Sequence, residues 1–311
     1  MKYYKIVNTE GHNGLIYHEG INIDPLPFNP SGDCEPGGIY FAKEDILAFV
    51  NYGTELYEVE PIGDVYENPG KPKKYKAHEV NMKYIGKVID NIEMLIKEGA
   101  NIHIDDDFVL RWAAENGHHN IIKLLIKNGV DIHIYNDAAL RWAAYNGHYD
   151  IVRLLLKHGA NVHADNDAAL RWAVENEHYK IVKLLLDNGA NVHANDNAAL
   201  RWAAFNGHYK IVKLLLDNGA NIHAKDDEAL HWAAENRHHN IVKLLLKHGA
   251  NVHAKDDYAL RWASRNGHYE IVRLLIEHSA NIHANNEEAL SWARYNDHKK
   301  IVKLLESYIN K

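Results

Sequence analysis

Three side-chain types in this sequence could do chemistry, and all three recur at one interval. Trp112, Trp142, Trp172, Trp202, Trp232, Trp262 and Trp292 are every tryptophan in the chain, each thirty residues from the last. Arg111, Arg141, Arg171, Arg201 and Arg261 precede five of them, with His231 and Ser291 completing the row. Fourteen of the 23 histidines keep the same step, in one row from His103 to His283 and another from His118 to His298. Histidine clusters bind metals, aromatic rows beside cations stack nucleic-acid bases, and arginines clamp phosphates or carboxylates. The period itself bears on all three. A fixed repeat of this length marks a solenoid, whose equivalent residues lie about one helix–helix spacing apart, roughly 8–10 Å. Zinc ligands sit about 2 Å from a shared metal, so a histidine ladder at that pitch makes no metal site by itself. The arginines follow Asp107, Asp137, Asp167, Asn197 and Asp257 by four residues, which favours a local pair where that residue is Asp. No unit carries a Gly-rich phosphate loop, a Ser/His/Asp set or paired carboxylates that stand out from the repeat background. No catalytic residue, metal or cofactor is therefore expected.

The elements that must position these side chains follow from the same thirty letters. Asp107, Asp137, Asp167, Asn197, Asp227 and Asp257 stand before a first helical stretch, where a side-chain oxygen serves as an N-cap. That stretch, 168–176 in one unit, ends near an Asn-Gly turn or its equivalent, here Asn176-Glu177. A second, 178–188, spaces Ile181, Val182, Leu184 and Leu185 as an apolar face, and Gly189 supplies a left-handed C-terminal cap. One such pair cannot bury its own apolar face; stacked pairs can. The formal charge of −7 gives no general attraction for nucleic acid or anionic lipid. One cysteine, Cys34, fits a reducing interior. No apolar run reaches membrane-spanning length, and the polar start does not resemble a signal peptide. An intracellular, cytoplasmic protein with neither nucleic-acid nor membrane partner is expected.

Residues 1–85 differ in composition. All seven prolines lie between Pro25 and Pro72, and every arginine lies beyond this segment. Short β-type runs at 3–7, 14–23, 38–41, 54–60 and 75–80, with an amphipathic helix over 42–52, predict a small α+β domain. The long Pro- and Gly-rich loop at 24–38 suggests a role.

The second half of each unit, as in residues 115–133 (ENGHHNIIKLLIKNGVDIH), closely resembles the ankyrin repeat. The resemblance implies a mainly α fold: an ankyrin-type helical solenoid behind the small N-terminal α+β domain. It divides residues 86–311 into a half repeat (86–106) and units 107–136, 137–166, 167–196, 197–226, 227–256, 257–286 and 287–311. It implies that the tryptophan takes the family's core leucine position and that the histidine after the turn bonds connector backbone. The unit is three residues shorter than the family's, and the loss falls where ankyrins project a β-hairpin finger, so shortened hairpin connectors are expected. With its N-terminal segments 14–17, 20–32 and 36–41, the arrangement also resembles ankyrin proteins of giant DNA viruses of amoebae, which suggests a host partner in the host cytoplasm. Separately, Gly38-Ile39-Tyr40-Phe41-Ala42, with Asn51-Tyr52 and His12, resembles the segment lining the NAD pocket of poly-ADP-ribose polymerases. The alternative function this implies is an ADP-ribosyltransferase-like module targeted by the repeats.

Residues shared by all units explain the scaffold; residues that differ are where recognition should lie. The variable first-helix positions include Phe108 and Tyr258 in one row and Glu115, Tyr145, Glu175, Phe205, Glu235, Arg265 and Tyr295 in another. The connector varies too, with Tyr135, Lys225 and Lys255. Aromatics among mixed charges have the composition of protein-binding hot spots. On the ankyrin resemblance these twelve residues line the concave face, and a non-enzymatic scaffold binding a protein partner there is expected.

Overall fold

A computed structural model of the chain describes residues 2–8, 15–26, 28, 38–68 and 70–309, with Asp105 described by its backbone alone. His12 and Cys34 lie outside the described residues. The chain forms two compact units, residues 1–139 and 140–311.

The first unit opens with strands β1 (Tyr3–Val7), β2 (Gly20–Ile23), β3 (Ile39–Phe41), β4 (Glu55–Ile62), β5 (Tyr66–Asn68), β6 (Lys74–Ala77) and β7 (Glu79–Lys87). All pair antiparallel, in one sheet ordered β1-β4-β7-β2 and another ordered β3-β6-β5. Strand alternation sets the inward face. β7 buries Val80 and Met82 and exposes Asn81 and Lys83, and the buried pair meets Val7, Ile39, Phe41, Val59 and Ala77 in a shared core. Reciprocal backbone bonds between Tyr4 and Ala42, both 2.8 Å, join the two sheets. The stretch expected as a helix over 42–52 forms only a 3-10 turn, Ile46–Phe49. Both its ends lie against β1: Ala42 is bonded to Tyr4, and Gly53 approaches the Val7 backbone so closely that a Cβ there would meet the Val7 carbonyl at 2.1 Å. The chain there doubles back instead of running out a helix.

β7 runs through residue 85 and leads directly into α1 (Val88–Lys97), followed by α2 (Ile104–Glu115), α3 (His119–Lys127) and the start of α4 (Ile134–Tyr145). Sheets and helices are pinned together within this unit. The Tyr4 hydroxyl donates to Glu98 at 2.6 Å, and the Asn101 backbone N–H donates to the Glu44 carbonyl at 2.6 Å. The buried Asp45 carboxylate accepts from Asn101 Nδ2 at 3.2 Å and from the Lys73 N–H at 2.8 Å. Bonds to both oxygens offset the cost of burying that charge.

In the second unit the helix pairs recur. First helices are α6 (Ala164–Glu175), α8 (Ala194–Asn206), α10 (Ala224–Glu235), α12 (Ala254–Arg265) and α14 (Ala284–Tyr295). Second helices are α5 (Tyr149–Lys157), α7 (Tyr179–Asp187), α9 (Tyr209–Asp217), α11 (His239–Lys247), α13 (Tyr269–Glu277) and α15 (Lys299–Ile309). α7 buries Ile181, Val182 and Leu185. It ends as its glycine predicts: Gly189 sits at φ 86, its N–H reaches the Leu186 carbonyl at 2.9 Å, and Ala190 reaches Leu185 at 3.0 Å. Successive first helices pack more closely than successive second helices.

The connectors differ from expectation. Among the described residues there is no strand beyond Lys87 and hence no hairpin finger, shortened or otherwise. In its place Asp165, Asn166 and Asp167 take three consecutive left-handed conformations, at φ 53, 54 and 57. Residues 195–197, 225–227, 255–257 and 285–287 do the same, as do 135–137 in the first unit. The left-handed region costs most L-residues roughly 1–2 kcal/mol each, and Asp and Asn tolerate it best. That physical preference accounts for the Asp/Asn-rich spelling of these triplets.

Candidate functional site

The face that could recognise a partner is held by the three periodic rows, each in a way its chemistry explains. The residue expected to cap each first helix instead closes its own unit, accepting a backbone N–H 24 residues on. Asp167 Oδ1 accepts the Asn191 N–H at 2.7 Å and bonds His163 Nδ1 at 3.1 Å. Asn197, Asp227 and Asp257 accept from Asn221, Asn251 and Asn281 at 2.7, 2.8 and 2.7 Å. These four side chains are only 3–5% exposed. A left-handed backbone lacks the extended geometry of an N-cap, which frees the side chain for this bond to the far end of its own unit.

The second histidine row does bond backbone, but at the end of the preceding unit's first helix and not in the connector that the resemblance implied. His178 Nε2 donates to the Tyr145 carbonyl at 2.9 Å, and His238 to that of Phe205 at 2.9 Å. His208, His268 and His298 reach Glu175, Glu235 and Arg265 at 3.3, 2.9 and 2.9 Å. The carbonyls so fixed belong to the variable residues of the candidate face. The turn glycine makes room for the ring: a Cβ on Gly207 would lie 2.5 Å from His238 Cε1. Among the described residues, no group of three or more His, Cys, Asp or Glu could hold a metal ion.

The arginines pair with carbonyls, not with the acid four residues back. Arg171 Nε and Nη2 donate to the Asn166 and Asp165 carbonyls at 3.3 and 3.0 Å. Arg201 and Arg261 do likewise at 2.9–3.1 Å. Three left-handed residues turn successive carbonyls the same way, and the planar guanidinium fork meets two of them. Arg201 Nη1 also pairs with Glu228 at 2.5 Å, and Arg261 with Glu288. Bonds from Asn285, Trp292 and Arg261 hold the Glu288 carboxyl down at about 2.

The tryptophans are not core residues. Trp202 is 40% exposed and the other six are half-buried. At about 100° per residue, Trp172 lies some 200° from Leu170 around the helix, and the buried side belongs to Ala169, Leu170, Ala173 and Val174. On the outer side the rings form surface clusters. Tyr145 stands edge-on to Trp142 and Trp172, at 5.8 and 5.9 Å, and those two indoles lie 5.5 Å apart. Trp202, Phe205 and Trp232 repeat the triple at 5.4–5.7 Å. Arg141 and Arg201 lie over Trp172 and Trp232 at 5.4 and 5.8 Å. Arg265 bridges Trp262 and Trp292 at 4.4 and 4.5 Å, and Trp292 meets Tyr295 at 5.9 Å.

Of the named residues in the second unit, Tyr145, Glu175, Phe205, Lys225, Lys255 and Tyr295 are exposed, with Tyr295 at 82%. Glu235, Arg265 and Tyr258 are half-buried, and Tyr258 packs between His231 and Trp262 at 4.9 and 5.4 Å. Lys225 pairs with Asp196 at 2.9 Å. In the first unit Glu115 and Tyr135 are exposed and Phe108 is half-buried. Tyr135 donates to Asp106 at 2.8 Å, and Arg111 lies over both rings. The row of Phe108 and Tyr258 is buried where it is alanine (Ala138, Ala168, Ala198), so it belongs more to helix packing than to the surface. The tryptophan pairs are the contributors that sequence reasoning left in the core.

Three copies of an ankyrin repeat family model match residues 82–166, 170–256 and 230–311. The chain belongs to the ankyrin repeat family. Ankyrin repeats are general protein–protein interaction modules, and the family's members are generally non-enzymatic scaffolds. An ankyrin repeat protein of Acanthamoeba polyphaga mimivirus is 34% identical over 123 residues, 36% of this chain and 40% of that protein. An uncharacterized protein of the same virus is 34% identical over 133 residues, 39% of this chain and 94% of its own length. The chain thus spans well under half of the first relative. The crystal structure of the human ASB11 ankyrin repeat domain superposes with a TM-score of 0.57 and 27% identity, over 63% of this chain and 96% of that one. The polymerase resemblance gains nothing from these comparisons. Ile39–Phe41 is a strand of a small sheet, and the histidine it would need, His12, lies outside the described residues. Among the described residues no helix is long and apolar enough to cross a membrane.

Proposed function

We propose that this chain is a non-enzymatic interaction protein that binds a protein partner through the first-helix face of its ankyrin stack, within residues 86–311. The observation that carries this reading is the set of exposed aromatic clusters on that face. Tyr145 at 39%, Phe205 at 38% and Tyr295 at 82% exposure stand beside half-buried tryptophans and mixed charges, and desolvating such aromatics is what protein hot spots do. The arginines are committed to turn carbonyls and acids, which disfavours a nucleic-acid groove. The mimivirus relatives support a host protein as the partner and the host cytoplasm as the place of action.

The test is affinity capture from an amoebal lysate with the whole chain and with its Tyr145→Ala/Phe205→Ala/Tyr295→Ala variant. Loss of one hot-spot aromatic weakens binding by about 2 kcal/mol or more, roughly 30-fold. A protein captured by the wild type should therefore vanish with the triple variant. An unchanged set of bound proteins would refute the assignment of the face.

A further inference from the structure

A cavity of about 430 Å3 opens in the N-terminal sheets of the first unit, within the range of roughly 300–1,000 Å3 typical of small-molecule sites. Tyr17, Tyr40, Phe41, Phe49 and Tyr52 line it together with Lys5. Lys5, on β1, is 8% exposed. Its Nζ donates to the Tyr40 carbonyl at 2.6 Å and lies 4.4 Å from the centre of the Tyr17 ring. Among the described residues it meets no carboxylate. A buried ammonium with three donors, one acceptor and no counter-charge is costly. A neutral amine, with one N–H on Tyr40 and its lone pair free, suits this wall better.

We propose that this cavity is a binding site for a small aromatic carbonyl compound, held between its tyrosine and phenylalanine walls and joined to Lys5 Nζ as an imine. The Nζ lone pair forms the new C–N bond as the carbonyl π pair moves onto oxygen, and one proton passes from nitrogen to that oxygen. The carbinolamine then breaks its C–O bond. The oxygen leaves as hydroxide and takes the remaining nitrogen proton to become water, so amine and carbonyl give imine and water with no change of oxidation state. Burial pushes Lys5 down to about 7, so that much of it is the nucleophilic form at neutral pH. Burial likewise pushes Tyr17 up to about 12, so its hydroxyl stays protonated. Lys74, the other lysine on the lining, lies 5.9 Å from the Phe49 ring and serves as an internal comparison.

The experiment is brief reductive alkylation of the whole chain with benzaldehyde and cyanoborohydride at pH 7.4, followed by peptide mass mapping. An ordinary lysine is about one part in 1,000 neutral there, so Lys5 should label on the order of 100-fold faster than Lys74 and the exposed lysines. Its rate should saturate with benzaldehyde and fall as pH drops through about 7. Tyr52→Ala, at a ring 65% exposed and so dispensable for folding, should raise the half-saturating concentration at least threefold. Labelling of Lys5 at the pace of the exposed lysines would overturn the proposal. So would fast labelling that never saturates, which would mean a reactive amine without a binding site.

Discussion

Asp227→Ala and Asp227→Asn should have very different consequences, and their contrast tests the bond that closes each unit as a source of cohesion. Asp227 is 3% exposed, bonds His223 Nδ1 at 3.2 Å and accepts the Asn251 N–H at 2.8 Å, in a left-handed conformation at φ 56. Alanine removes a hydrogen bond to a charged acceptor, worth about 1.5–3 kcal/mol. It also places a residue in the left-handed region that tolerates it about 1 kcal/mol less well than Asp or Asn. The expected loss is about 2–4 kcal/mol. Asparagine keeps both the oxygen and the backbone tolerance, as Asn197 shows by accepting the Asn221 N–H at 2.7 Å; its loss should stay under about 1 kcal/mol. Solenoid stability is nearly a sum of local and nearest-neighbour contributions, so the readout must be local. Hydrogen exchange at the Asn251 amide should quicken about 30-fold or more in Asp227→Ala and little in Asp227→Asn. Equal effects of the two variants, or an Asn251 amide indifferent to both, would refute the reasoning.

Three further outcomes follow from single positions. Gly207→Ala combines φ +85 with a Cβ 2.5 Å from His238 Cε1, so it should cost about 2 kcal/mol or more and break the His238 bond to Phe205; an unchanged thermal midpoint would count against it. Ser279 occupies a C-terminal cap at φ 70 where the other units have glycine, and Ser279→Gly should stabilise by about 1 kcal/mol in urea titrations. His231 is 2% exposed, and its Nε2 has no hydrogen-bond partner among the described residues. Burial lowers it to about 4. Below pH 6.5 the unfolded chain then binds a proton that the folded chain refuses. Stability should accordingly fall as pH drops from 6.5 toward 4, by roughly 3 kcal/mol from this residue. The decline should be shallower by about that amount in His231→Gln, and an NMR titration midpoint near 6.5 would contradict it.

The helix pairs and the glycine caps were legible because each rests on local chemistry. The second helix declares itself by Ile181, Val182, Leu184 and Leu185, and Gly189 marks its end whatever surrounds it. What stayed hidden depended on neighbours. Asp167 is a good cap by composition, and only the left-handed turn beneath it sends its carboxylate to Asn191, 24 residues on. Trp172 is large and apolar enough for the core, yet the buried side of its helix is taken by Ala169, Leu170, Ala173 and Val174, which leaves the indole outside. That much was available from the helical wheel, had the Leu170–Trp172 separation been weighed against size. The arrest of 42–52 at one 3-10 turn depends on its ties to β1, a contact between distant residues that no local pattern encodes.

The exchange of a hairpin finger for three left-handed residues also redirects recognition. A finger offers side chains at its tip, away from the helices; a tight turn clamped by Arg171, Arg201 or Arg261 brings the connector residues down beside the first helix. The arginine that clamps the turn also stacks on the next unit's tryptophan where Arg201 covers Trp232. The turn, the Trp232 indole and Phe205 are therefore one coupled assembly. Removing the clamp with Arg201→Ala should free two turn carbonyls and the Glu228 carboxylate and loosen the Trp202–Phe205–Trp232 cluster. Partner binding should weaken even though the arginine presents little of itself to solvent, its side chain being 14% exposed. If Arg201→Ala leaves binding intact while Phe205→Ala abolishes it, the clamp is scaffold only and recognition resides in the exposed ring alone.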